Sequence, residues 1–452
     1  MMTAAPQTDV ERAARRLTER LAANGARALF AGGAVRDRLL GRTPKDVDVV
    51  TSATPEQVIA LFPRTKTVGK SFGVVLVESE GHWFEVATFR REREYADGRR
   101  PSVVEYGTEA EDAARRDFTI NGLFYDPARD DVLDYVGGRA DLAAGVIRAI
   151  GDPDERFAED HLRLLRAVRF AAQLEFTIEP RTHAAIRAHA AALARISAER
   201  VQQELTRILT EPPRPGQAVR LLRETGLLAV VLPDVDALAG VEQPPEFHPE
   251  GDVLTHTVLM LDGMTERAPE LAWAALLHDI GKPPTARRGP DRRGGVRWRF
   301  DGHDRIGAEM ARAILTRLRM PNKLIENVSA LIRDHMRFME VPHMRPATLR
   351  RMLADPLFPL ARELHRLDCL ASHGDASNLD RLDAEQARRN NETALPTPLL
   401  DGHALAALGV PAGPEMGEWK RRAYERQLDD PALTREALAA WVTDSRRAAG
   451  AT

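Results

Sequence analysis

The run Gly32-Gly33-Ala34-Val35-Arg36-Asp37, followed shortly by Asp46-Val47-Asp48, constrains this chain more than any other feature. A Gly-Gly step after a short apolar segment lets the backbone come close to whatever it faces. The helix after it aims amide N–H groups at the same point. Two carboxylates at i and i+2 on an extended segment point to one face of a sheet. Together these describe an anion-binding turn beside a pair of oxygen ligands for Mg²⁺, which is what nucleotidyl transfer needs. The acidic pair alone would read as a solvated strand. The glycine turn and the intervening Arg36-Asp37 make it specific.

The chain has 452 residues, 29% of them charged, with a formal net charge of −3. That length allows roughly two to four domains. The near balance of charge means that any surface for nucleic acid is local and set against acidic regions elsewhere. The single cysteine, Cys369, excludes an internal disulfide framework and a Cys-rich zinc site. No apolar run is long enough to span a bilayer, and Met1 to Arg15 lacks a signal-peptide core. A cytoplasmic enzyme without a membrane partner is expected.

After a leader, Met1 to Thr8, the stretch Val10 to Asn24 reads as an amphipathic helix. Ala28-Leu29-Phe30 is a strand entering the glycine turn, Val35 to Leu40 a helix stopped by Gly41, and Asp46 to Val50 a second strand. Thr54-Pro55-Glu56 starts another helix. Val74 to Val77 and Trp83 to Ala87 alternate as strands joined at Glu80-Gly81. Between Arg90 and Val103 charge crowds without an apolar period, and this reads as a solvated loop beside the strand carrying Glu85. From Asp152 the pattern is helical, with Glu159 to Ala172 and Ala198 to Thr210 as clear stripes and Pro-rich breaks at 211–215 and 243–245. The expected fold is α+β. It has a small head with a mixed β-sheet over 1–150, an all-α region over 151–240, an α-helical domain over 241–375 and a helical tail over 376–452, with a linker near Thr393 to Pro398.

Three further blocks follow in order: Glu85-Val86-Ala87-Thr88-Phe89-Arg90, Arg115-Arg116-Asp117-Phe118-Thr119-Ile120-Asn121 and Glu159-Asp160-His161-Leu162-Arg163. With the first two motifs they resemble the bacterial tRNA nucleotidyltransferase family, which includes CCA-adding enzymes and poly(A) polymerases. The resemblance runs from about Ala28 to Leu232. It implies template-independent transfer from CTP and ATP to a tRNA 3′ end, with no DNA partner. It further implies Asp46 and Asp48 as Mg²⁺ ligands, Glu85 as a third carboxylate, and Gly32, Gly33 and Arg36 as triphosphate contacts. Arg116 and Asp117 fall on the ribose side, Asp160 and Arg163 read the base, and Arg166 and Arg169 continue the same helix.

Read from the residues alone, Glu85 is equally a strand-end charge with a structural partner. Arg115-Arg116-Asp117 is a solvated helix start, and for Arg166 and Arg169 a basic solvated face is the alternative to a role in the site. The spacing of three puts Asp160 and Arg163 on one helix face, where an acceptor and a donor can present a Watson–Crick-like edge. The blocks do not separate CCA addition from poly(A), CC-only or A-only addition. A non-catalytic RNA-binding module is the reading of another class, which intact Asp46 and Asp48 oppose.

A second constellation reads His256, then Leu277-His278-Asp279-Ile280-Gly281-Lys282, then His303, His335 and Asp368. Imidazole and carboxylate together favour Mn²⁺, Fe²⁺, Co²⁺, Ni²⁺ or Zn²⁺ over Mg²⁺. The order resembles the HD phosphohydrolase superfamily. That implies His256, His278, Asp279 and Asp368 as a basic ligand set, with His303 and His335 for a second metal that Asp279 bridges, and hydrolysis of a phosphoester. Asp375 is the alternative to Asp368. His248, His343, His365 and His373 read as core or surface residues.

Overall fold

Thr8 starts the first helix, α1 (Asp9–Ala23), by accepting the Glu11 amide N–H while Glu11 accepts that of Thr8. The structure, a computed structural model, describes residues 8–44, 46–67, 73–95, 101–290, 295–388, 394–430 and 432–450. The leader before Thr8 lies outside them. The chain divides into two units, Met1–Asp236 and Ala237–Thr452. Among the described residues no helix is long and apolar enough to cross a membrane.

In the first unit, β1 (Ala28–Ala31) is buried at every position and runs into Gly32. Gly32 has φ +64° and ψ −129°, a combination that glycine alone adopts readily, and a Cβ there would stand 3.2 Å from Arg116 Nη1. Next come α2 (Gly33–Leu39), β2 (Asp48–Thr51), α3 (Pro55–Leu61), β3 (Thr65–Lys66), β4 (Val74–Ser79) and β5 (His82–Thr88). After a hairpin of β6 (Arg90–Tyr95) and β7 (Pro101–Tyr106) come α4 (Glu109–Ala114), β8 (Leu123–Asp126) and β9 (Asp131–Asp134). Seven strands form one mixed sheet in the order β3-β4-β5-β2-β1-β8-β9.

β2 pairs antiparallel with β1, Asp48 opposite Ala31, and parallel with β5, Val49 opposite Val86. Asp48 and Glu85 each precede those matched residues, so the pleat places them side by side on one face. The strand starts at Asp48. Asp46 stands two residues ahead of it, outside the observed strand although the sequence pattern drew the strand from Asp46.

Two expectations change. The stretch Arg90 to Val103 is not a loop through its length, because β6 and β7 pair with each other, and Arg91 Nε donates to Glu105 Oε2 across the ribbon at 2.6 Å. Arg91 and Glu105 are thus cross-strand partners. Residues 96–100, with Asp97, Gly98, Arg99 and Arg100, lie outside the described set, as do residues 389–393 at the start of the expected linker. The helix expected over Glu159 to Ala172 is two helices, Pro153–Glu159 and Arg163–Leu174. Asp160 caps the first in an extended conformation (φ −144°, ψ 104°). Asp160 and Arg163 therefore do not share one helix face.

Among the described residues the second unit is helical apart from the hairpin of Arg287–Pro290 with Val296–Arg299. The helix Pro269–Leu277 is buried from Leu271 to Leu277 and delivers His278 and Asp279 from the centre of the unit. A Cβ on Gly281 would lie 2.1 Å from the His303 carbonyl, so the glycine lets the first turn of the helix His303–Arg317 seat against the His-Asp turn. The tail helices Gly402–Ala407, Pro414–Asp429 and Arg435–Gly450 close over their own core of Leu400, Leu405, Trp419, Leu438 and Val442. Gly281→Ala is expected to cost the second unit about 1–3 kcal/mol through the forced backbone shift. In calorimetry the unfolding of that unit should move down by several degrees while that of the first stays in place.

Candidate active sites

A cleft of about 760 Å³ in the first unit is lined by Gly32, Gly33, Asp46 and Asp48. Nine arginines and six carboxylates line it in all. The basic surface that the near-neutral net charge hides is thus gathered in one place. Burial, then the neighbouring Asp46 and Glu85 carboxylates, push the Asp48 carboxyl up to about 6, against the pull of Arg116. The side chain of Asp48 still reaches solvent through the cleft. Crowded carboxylates of this kind are relieved by a cation, and the all-oxygen donor set suits a hard one such as Mg²⁺. Asp46, Asp48 and Glu85 are nevertheless not among the described groups whose ligand atoms all lie within 4.8 Å of one another.

The arginines are held by a buried chain of bonds. Arg36 Nη1 donates to Asn121 Oδ1 at 2.9 Å, and its Nε to Asp37 Oδ1 at 2.8 Å. Asn121 Nδ2 donates to Asp117 Oδ1 at 3.1 Å, and Arg166 donates twice to Asp117 Oδ2, at 2.6 and 2.9 Å. Arg169, 1% exposed, donates to Glu204 Oε2 at 2.7 Å. Burial would raise the Asp117 carboxyl, but Arg166 and Asn121 outweigh it and hold it at about 2. Arg166 and Arg169 are therefore paired inside the protein and do not form a solvated face. Arg115 and Arg116 follow the end of α4, where both grip Asp112, so this segment is a helix C-terminus and not a start. Asp160 is held by Arg200 at 2.9 Å, and Arg163 by Glu159 at 2.7 Å and by the Arg115 carbonyl at 3.1 Å.

The second centre brings six expected residues together. His256 Nε2 lies 3.1 Å from Asp368 Oδ1, and His278 Nε2 lies 3.0 Å from Asp279 Oδ2. His303 Nε2 lies 3.5 Å from Asp279 Oδ1 and 3.3 Å from His335 Nε2. The ligand atoms form two compact sets, His256-His278-Asp368 and Asp279-His303-His335, and Asp279 faces both through its two oxygens. Asp375 instead caps the next helix through the Ser377 amide.

Three rings are preset as ligands. Nδ1 of His278, His303 and His335 lies 2.9, 2.8 and 2.6 Å from the carbonyls of Ala275, Phe300 and Ile332. A carbonyl only accepts, so each Nδ1 carries the proton and each Nε2 presents a lone pair. Burial, with His278 and His303 nearby, pulls His335 down to about 4 and keeps it neutral. His256 Nε2 and His278 Nε2 are buried and make no well-formed hydrogen bond, each facing a carboxylate oxygen, while Asp279 Oδ2 has only ion-pair contacts with His278 and Lys282. Orphaned nitrogens and a carboxylate oxygen that converge in this way fit a divalent transition metal.

Sequence reasoning missed Glu250 and Lys282, and it set His248 aside. Glu250 Oε1 sits 2.7 Å from His256 Nδ1 and 2.9 Å from His248 Nδ1, orienting the one ligand ring that lacks a carbonyl. Burial opposes the charge of Asp279, yet His278 and the Lys282 ammonium, 2.7 Å away, hold its carboxyl well below the usual range. Glu250 is an acidic residue in a loop, with no periodicity to mark it.

The family model described as "Poly A polymerase head domain" matches residues 28–148, "Probable RNA and SrmB- binding site of polymerase A" matches 175–238, and "HD domain" matches 252–383. The multifunctional CCA protein of Burkholderia pseudomallei (strain K96243) is 37% identical over 394 residues, 83% of this chain and 91% of that one. The CCA-adding enzyme of Bacillus subtilis (strain 168) is 41% identical over 258 residues, 57% of this chain and 61% of that one. The crystal structure of the Bacillus stearothermophilus CCA-adding enzyme in complex with CTP superposes with a TM-score of 0.75 at 28% identity, covering 98% of this chain and 99% of that one. The class is thus a nucleotidyltransferase head joined to helical RNA-binding and HD regions. The chain belongs to the CCA-adding family of tRNA nucleotidyltransferases.

Glu250→Gln keeps the shape but weakens the hold on His256. Affinity for Mn²⁺ or Ni²⁺ at the HD centre should fall by about 10–100-fold, read by competition with a chelating dye on the purified chain.

Proposed function

We propose that the first unit adds CCA to tRNA 3′ ends from CTP and ATP without a nucleic-acid template, and that the HD centre hydrolyses a phosphoester, with the cytoplasm as the place of both. The observation that carries the first part is the cleft in which a glycine turn, an acidic pair and an excess of arginine meet. In this reading the head over 1–150 transfers, the region over 151–240 selects the nucleotide, and 241–375 hydrolyses.

Asp46 and Asp48 would hold two Mg²⁺ ions, which supply a more acidic primer hydroxyl and charge neutralisation at the leaving pyrophosphate. The chain's own residues do the rest. The turn at Gly32 and Gly33 admits the triphosphate against backbone, and Arg36 and Arg116 meet its charge. Asp117 has its oxygens engaged by the Phe118 amide, Asn121 and Arg166. It acts by positioning Arg166, and the ribose contact falls to Arg116. Asp160 and Arg163 both line the cleft and offer an acceptor and a donor to the base edge. Each is held by a protein partner until the base takes its place. Arg169 supports the wall through Glu204.

At the HD centre, His256, His278 and Asp368 would hold one transition metal and His303 and His335 the other, with Asp279 between them. The metals of choice are Mn²⁺, Ni²⁺, Co²⁺, Fe²⁺ or Zn²⁺. Such a pair supplies a hydroxide nucleophile at neutral pH. The cavity of about 490 Å³ beside this cluster admits one phosphoester group with its substituent.

Transfer to tRNA ending before CCA, with CTP and ATP offered singly and together, tests the first part. Ordered addition of two C and one A is expected. A long A tract, or CC or A alone, would replace CCA addition by one of those activities. Asp46→Ala should lower incorporation by about 10³-fold or more while leaving phosphoester hydrolysis intact. Asp279→Ala should do the reverse, with hydrolysis followed in Mn²⁺ or Ni²⁺.

A further inference from the structure

Beside the arginine-lined cleft lies a second pocket of about 310 Å³, and the two share only Asp46 and Asp48. The second pocket has a different chemistry. Its lining includes Glu85, Leu76, His82 and Trp83 and no arginine. Trp83 and Glu85 stand two apart on β5, so their side chains leave the same face of the strand. Trp83 is 45% exposed, and the Lys66 ammonium lies 4.2 Å from the centre of its ring. The ammonium takes one side of the indole, and the open remainder is a flat apolar surface on which a base can stack.

Nucleotidyl transfer sets a geometric condition. The attacking oxygen and the leaving pyrophosphate stand on opposite sides of the reacting phosphorus, roughly in line. Residues that hold the reacting centre must therefore face two compartments, one for each partner. Asp46 and Asp48 do so here. The compartment rich in arginine suits a triphosphate. The one with an acidic wall and an indole repels clustered phosphate and suits a nucleoside, with hydroxyls toward carboxylate and base on the ring.

We propose that the pocket of Trp83, Leu76 and Glu85 seats the 3′-terminal nucleoside of the RNA acceptor, its base stacked on Trp83 and its 3′-hydroxyl at the Asp48–Glu85 edge. The proposal rests on the transfer activity argued above. It gives Glu85 a place beside the attacking hydroxyl and gives Trp83 a role in holding the acceptor. Stacking tolerates any base, which this seat requires, because the terminal nucleoside changes as C and then A is added.

The test is steady-state incorporation of CMP into a tRNA lacking CCA, by the full chain and by Trp83→Ala and Trp83→Phe. In Trp83→Ala, KM for the RNA is expected to rise by about 5- to 150-fold, the loss of one base–aromatic stack. KM for CTP should stay within about twofold, which also shows that the head is folded. Trp83→Phe should recover most of the loss. An RNA KM unchanged in Trp83→Ala, or RNA and CTP KM values rising together, overturns the seat while leaving transfer intact. No incorporation by the unmodified chain overturns both readings at once.

Discussion

The Asp117 carboxylate holds the nucleotide cleft together. One oxygen takes the Asn121 amide, which in turn takes Arg36, and the other takes two bonds from Arg166. Arg36 belongs to the glycine-turn helix and Arg166 to the helix Arg163–Leu174, so one buried anion ties the sheet to the helical region. Buried guanidinium groups repel one another and demand counter-charge. Asp112, Asp117 and Glu204 supply it at fixed distances, and that is why so many arginines can line one cleft without forcing it open.

The two centres prepare for metal in different ways. At the sheet, the carboxylates of Asp46, Asp48 and Glu85 crowd together, and burial first and then their repulsion raise Asp48. Such a site is soft in geometry and gains its order when a cation arrives. In the helical unit the order comes first. Backbone carbonyls fix the tautomer of three rings, Glu250 fixes a fourth, and Gly281 allows the His303 turn to close in. The two designs suit the ions proposed for them, a hard, labile one beside the sheet and a transition metal in the helical unit.

Much of this was legible before any coordinates. The glycine turn, the acidic pair and the ordered histidines are local patterns whose chemistry depends on residue type and spacing, and the structure brings each set together. Partnerships between distant residues were not legible. Asp160 and Arg163 read as one helix face because spacing cannot show that an extended residue splits the helix. The pairing of Arg169 was out of sight because its partner Glu204 is 35 positions away. The ribbon of β6 and β7 was hidden because charged residues alternating across a hairpin carry no apolar period. Glu250 was invisible because its importance lies in the ring it faces.

The ion pairs that fill the cleft change what it means for a nucleotide to enter. Asp160 already has Arg200, and Arg163 already has Glu159. If these two side chains read the base, as proposed, entry is an exchange of partners, in which a bond to the newcomer replaces one that was already made. The net gain in affinity is then the difference between two interactions and smaller than either alone. A wrong base, by contrast, leaves a buried donor or acceptor with no partner at all. The cleft trades tightness for discrimination, as suits a protein that must read two different bases with the same few side chains and let each product go.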